Sequence, residues 1–155
     1  MSLRAKYGKV QKSPELGPVV KMRVYLPDAP EHGVETDAVV DTGASRTTLP
    51  ESVITELELG GKRVPKAGKV NNELADGRVL ENQPTYWVAV RIGDCEWGTV
   101  RVAVKPRRYA MIGRDIMRDC TVYLHGPDQH WRAKRIRKRP CCHSSRRVSN
   151  APESR

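Results

Sequence analysis

The chain has 155 residues and a formal net charge of +10, from 28 Lys/Arg against 18 Asp/Glu. That length holds one domain with arms and excludes two lobes of ordinary size. No apolar run approaches the roughly 18 residues of a membrane span, so no membrane contact is expected.

Residues 1–17 are polar and basic, leave through Pro and Gly, and contain no apolar signal core; they read as a flexible arm. Residues 19–26, VVKMRVYL, alternate as a half-buried strand that Pro27 stops. A second strand, 34–40, runs into Asp41-Thr42-Gly43. Thr47-Thr48-Leu49 forms a short strand, and Pro50 opens a helix that places Val53, Ile54 and Leu57 on one face before Gly60-Gly61 ends it.

Further on, Asp76-Gly77 between Leu74 and Val79 has the signature of a two-residue type I′ hairpin. YWVAVRI and TVRVAVKP are alternating strands joined by a turn in GDCEWG. YAMIGRDIMRDC supplies an apolar strand, a glycine and a short helix from Asp115, and CTVYLHG closes the ordered part. The expected architecture is a mainly β domain over 18–126 with one or two short helices.

Residues 127–155 hold nine Lys/Arg against two Asp/Glu and read as a basic, disordered tail. It has two readings: an arm contacting nucleic acid or another polyanion through 132–147, or a solvated solubility tail. The second is favoured, because no aromatic residues interleave with the charge in the manner of a nucleic-acid motif. Trp131 is its one candidate anchor. The four cysteines include the adjacent pair Cys141-Cys142, a poor start for a disulfide framework, so a reducing, cytoplasmic setting is expected. Cys141-Cys142-His143 also lacks metal-ligand spacing, and His32, His125 and His130 fit no nucleophilic triad. Neither metal nor cofactor is expected. Cys95, Cys120, Trp87 and Trp97 read as packing residues.

Asp41 poses the functional question. An Asp at a strand end caps a turn through its own side chain, and Asp-Thr-Gly alone does not separate that role from catalysis. Its context does. About seventy residues later, Ala110-Met111-Ile112-Gly113-Arg114-Asp115 repeats the pattern of apolar residues, glycine and short helix, with the Asp76-Gly77 hairpin between. Over residues 18–126 the chain resembles the retropepsins, single-domain aspartic proteases related to one lobe of pepsin. Asp41-Thr42-Gly43-Ala44-Ser45 matches the catalytic loop, 72–81 the flap, and Ile112-Gly113-Arg114-Asp115 the apolar-Gly-Arg-Asp motif.

The resemblance implies the acid protease fold: a single, closed barrel-like lobe with a flap hairpin. It also implies a homodimer acting on polypeptides, with Asp41 of two copies as the catalytic dyad. One site-forming loop in one small lobe agrees, since it completes a dyad only through an isologous contact. Thr42 would hydrogen-bond across the two-fold axis, with Ala44 and Ser45 supporting the loop. Gly43, Ala75, Asp76, Gly77 and Ile112 would contact substrate, while Gly113, Arg114 and Asp115 would be structural. Arg46, on the expected cleft rim, would let the cleft tolerate acidic substrate residues. Two other functions remain open at this point: an inactive peptide-binding or dimerisation module of the same fold, and a nucleic-acid-associated protein acting through the basic tail.

Overall fold

The computed structural model describes residues 2–9, 17–74 and 76–135. Ten strands and two short helices follow one another: β1 (Ser2–Lys6), β2 (Val19–Leu26), β3 (Ala29–Val40), β4 (Thr48–Pro50), α1 (Glu51–Glu58), β5 (Lys66–Glu73), β6 (Val79–Ile92), β7 (Cys95–Lys105), β8 (Ala110–Ile112), α2 (Arg114–Met117), β9 (Cys120–His125) and β10 (His130–Arg135).

Seven strands form one sheet in the order β2-β3-β8-β4-β7-β6-β5, and β2 pairs again with β6. That second pairing, Met22 opposite Ile92 through Tyr25 opposite Ala89, closes the sheet on itself. Closure removes two edges and makes the inward residues a barrel core. The alternation of VVKMRVYL and of the Val-rich strands determines which residues turn inward: Met22, Val24, Val88, Val90 and Val102 have no exposed surface. α1 lies against β2, β3 and β4, burying the expected Val53, Ile54 and Leu57.

β5 lies outside the ring and pairs only with the first half of β6, so the two project as a hairpin. Its turn differs from the expected two-residue type. Leu74 N–H donates to Arg78 O at 2.8 Å and Gly77 N–H to Leu74 O at 2.9 Å. Only Gly77 of the Asp-Gly pair takes a positive φ, 81°. The loop is therefore one residue longer, with glycine in the left-handed position before the strand resumes. The Asp76 carboxylate accepts from Arg78 N–H at 3.1 Å and Nε at 2.7 Å, which holds the longer loop.

The two ends of the chain depart further from expectation. Ser2–Lys6 is a strand rather than part of a flexible arm, and His130–Arg135 a strand rather than the start of a disordered tail. Together with β9 they form a three-stranded antiparallel sheet, β1-β10-β9. Trp131 explains the difference: it is 2% exposed, and its indole N–H donates to Val19 O at 3.3 Å. Leu3, Ala5, Val122 and Ala133 pack beside it against the core. One buried indole with its polar end satisfied contributes about 2–3 kcal/mol toward ordering a short basic strand. The rest of the expected arm and tail, 10–16 and 136–155, lies outside the described residues, including most of the 132–147 segment and the Cys141-Cys142-His143 cluster.

Candidate active site

β3 and β8 run parallel, with Val39 opposite Met111 and Val40 opposite Ile112. The pairing continues one residue further, where Asp41 N–H donates to Ile112 O at 3.1 Å. There the chain turns. Ala44 N–H donates to Asp41 O at 3.2 Å, and Gly43 N–H to Asp41 Oδ1 at 2.9 Å. Asp41 is thus a turn former through one carboxylate oxygen. The other, Oδ2, has no hydrogen bond among the described residues. Gly43 lies in close approach: a Cβ there would stand 3.2 Å from Asp41 Oδ1, a tight contact that the carboxylate would have to ease by a few tenths of an ångström.

The loop is held from behind by the second motif. Arg114 N–H donates to Ala44 O at 2.9 Å. The Thr47 hydroxyl donates to Asp115 Oδ1 at 2.7 Å and accepts from Gly113 N–H at 3.1 Å. Thr47 N–H reaches both Asp115 oxygens at 2.9 Å. Gly113 lies so close that an added Cβ would fall 2.4 Å from the Arg46 carbonyl carbon. Asp-Thr-Gly and Ile-Gly-Arg-Asp are therefore two halves of one hydrogen-bonded core, and Thr47, fully buried, is its hub. Nothing in the pattern of Thr47-Thr48 beyond a short strand signalled that role.

Asp41, Gly43 and Ala44 line an open groove together with Glu73 and Leu74 of the β5–β6 hairpin, Lys105 at the end of β7, Arg107 just beyond it, and Met111. Several expected contacts are redistributed. Ile112, expected to touch substrate, is 3% exposed and faces an apolar cavity with Trp97, Ile116 and Trp131; strand alternation turns Met111 to the groove instead. Asp76 and Gly77 stand at the hairpin tip while Glu73 and Leu74 line the groove; Ala75 lies outside the described residues. Ser45 and Arg46 line a different groove, with Trp87, Arg101 and Arg118. Trp87 is 40% exposed, contrary to a packing role. Thr42 and Arg114 have exposed side chains.

The cations of the Asp41 groove are therefore Lys105 and Arg107, which no motif announced. Burial pulls the Lys105 ammonium below its usual range, the Arg107 charge pulls it the same way, and Asp41 partly opposes both. The arrangement presents an acidic centre under a projecting hairpin, with positive charge beside it. An extended peptide could lie in it as an added strand.

Known proteins share this fold. The chain superposes on a retropepsin-like aspartic protease from Rickettsia conorii with a TM-score of 0.53 at 12% identity, covering 86% of this chain and 91% of that one. It superposes on EIAV protease, complexed with the inhibitor HBY-793, with a TM-score of 0.52 at 20% identity, covering 71% and 93%. No curated protein sequence matches. The sequence model of gag-polyprotein putative aspartyl proteases matches residues 31–119, a span that opens in β3 and closes after α2, so that it contains both motifs and the hairpin between them. With more than half its length in that match and the barrel of a retropepsin around Asp41, the chain belongs to the gag-polyprotein putative aspartyl protease family.

Proposed function

We propose that this protein is an aspartic endopeptidase whose catalytic dyad is Asp41 from each of two copies. The observation that carries the reading is the division of labour at Asp41. One oxygen is spent on the Gly43 turn, which fixes the carboxyl group on a loop buttressed by Thr47 and Asp115, and the other is left to the groove. Thr42 and Gly43 are exposed beside it, as a surface that meets its own copy requires. Among the described residues the only other carboxylate lining the groove is Glu73, an exposed residue of the hairpin without that support.

In the dimer, two carboxyl groups about 3 Å apart share one proton and titrate as a unit. The ionised group takes a proton from a water held between them, and the water oxygen attacks the peptide carbonyl. The protonated group hydrogen-bonds to the developing oxyanion. Collapse of the tetrahedral intermediate breaks the C–N bond as the carboxyl group that took the water's proton passes it to the leaving nitrogen. The β5–β6 hairpin acts as the flap, closing on an extended polypeptide and excluding water.

The test is digestion of a diverse peptide mixture between about pH 4 and 7, read by mass spectrometry at several protein concentrations. Wild type, Asp41→Asn and Glu73→Gln are compared. Cleavage lost by at least about a thousandfold in Asp41→Asn, retained in Glu73→Gln, and rising faster than linearly with concentration supports the proposal. A folded, dimeric wild type that cuts nothing would instead favour a peptide-binding module.

A further inference from the structure

The three-stranded sheet β1-β10-β9 has an outer face whose pocket shares no lining residue with the Asp41 groove. Its inner face carries Leu3, Ala5, Val122, Trp131 and Ala133 against the core. Strand alternation therefore sends the intervening residues outward. The registers arrange them in rows: Lys6 opposite His130 opposite His125, then Arg4 opposite Arg132 opposite Tyr123, then Lys134 opposite Thr121. Arg4, Lys6, Arg132 and Lys134 are all exposed, and no ion pair joins any of them to another described residue.

This pattern opposes the stability of the sheet. Like charges directly across neighbouring strands are destabilising, yet Arg4 faces Arg132. Asp128, in the β9–β10 turn, lies 3.2 Å from His125 and 3.9 Å from His130. Those three side chains bring their donor atoms within 4.8 Å of one another. Arg4 and Arg132 line the same pocket as the two histidines, so the local field favours an anion over a metal cation. Arg132 also lies 4.4 Å from the Tyr123 ring centroid, and Tyr123 is 47% exposed. A guanidinium on an aromatic ring is a stacking platform set among phosphate-neutralising charges.

We propose that this sheet face binds single-stranded nucleic acid, with Arg4, Lys6, Arg132 and Lys134 on phosphates and the Arg132–Tyr123 pair under a base. Alternate residues on a strand stand about 6.6 Å apart and neighbouring strands about 4.8 Å, a spacing over which a flexible strand lays successive phosphates on successive cations. A flat face with a stacking ring suits unpaired bases, which a duplex keeps inside its stack.

The experiment is fluorescence anisotropy of the full chain with a fluorescein-labelled 20-nucleotide oligo(dT) and a 20-nucleotide RNA of mixed sequence, over a series of salt concentrations. Wild type is compared with Arg4→Ser/Arg132→Ser, Lys6→Ser/Lys134→Ser and Tyr123→Ser. All the altered side chains are exposed, and relieving the like-charge pair leaves thermal unfolding unchanged or slightly raised; if one double variant fails to fold, the other decides. Each double variant is expected to weaken binding at least tenfold and to reduce the salt slope by about 1.4, at 0.7 per phosphate contact on a single strand. Tyr123→Ser is expected to weaken binding about tenfold with the slope unchanged. Wild-type affinity in both double variants would assign binding to the residues after β10 and overturn the proposal. Unchanged affinity in Tyr123→Ser, with heparin competing as well per charge as the oligonucleotide, would reduce the face to a general polyanion surface and overturn it too.

Discussion

Thr47 and Asp115 stand sixty-eight positions apart in the chain and meet through three hydrogen bonds, the hydroxyl at 2.7 Å from Oδ1 and the backbone N–H at 2.9 Å from both oxygens. The same hydroxyl accepts from Gly113 N–H. A single buried side chain thereby ties the loop that carries Asp41 to the helix that supports it. Thr47→Val keeps the shape and removes the hydroxyl, leaving the Gly113 N–H without its acceptor in a buried place. A loss of about 2–3 kcal/mol in urea unfolding is expected, with a larger fractional loss of proteolysis than Thr47→Ser shows, because serine retains the bonding pattern.

Trp131 distinguishes a structural chain end from a dispensable tail. Its burial and its bond to Val19 O place it in the core beneath β1. Trp131→Ala is expected to cost about 3–5 kcal/mol in chemical denaturation. A loss under about 1 kcal/mol would mean that β10 is peripheral.

Lys105 and Arg107 beside Asp41 bear on substrate choice. In a groove partly shielded from water, a cation favours an acidic side chain near the scissile bond. Lys105→Ala/Arg107→Ala is expected to lower kcat/KM for peptides with Asp or Glu near the cut by about tenfold, or ~1.4 kcal/mol. Matched peptides with Gln or Leu there should be almost unaffected. Arg46→Ala, in the other groove, is expected to leave the ratio between the two peptide sets unchanged.

Tyr25 supplies a pH signature. Burial raises its phenol above the ordinary value near 10, and the hydrogen bond to Glu96, together with that carboxylate's charge, raises it further. Below pH 10 the phenol is protonated in folded and unfolded chains alike, and its stabilising contribution is complete. As pH rises past 10 the unfolded chain ionises first, so stability falls until the folded phenol ionises too. In a titration at 295 nm, Tyr25→Phe should remove a late-ionising tyrosine. It should cost about 1 kcal/mol at neutral pH and flatten the decline of stability above pH 10.

Much of the fold around the site was legible in the sequence. Alternation in VVKMRVYL and in the two Val-rich strands identified the barrel's inner residues, because period two leaves one face buried whatever the partner strand. The two glycine-bearing motifs marked the Asp41 loop and its support, because Gly43 and Gly113 stand where a Cβ would crowd Asp41 Oδ1 or Arg46 backbone. Helix α1 followed from Pro50 and three apolar residues on one face.

Other features depended on contacts between distant residues. Which member of Met111-Ile112 faces the groove was decided by the pairing of β8 with β3, since both residues are apolar and the pattern is symmetric between them. Lys105 and Arg107 reach Asp41 only because β7 ends beside β4 and the loop. The chain ends pair because Leu3 lies opposite Ala133 and Ala5 opposite Trp131, and that register gives a basic segment a tryptophan to bury. Local composition reports the charge of such a segment. Only long-range pairing shows that its apolar face has somewhere to go.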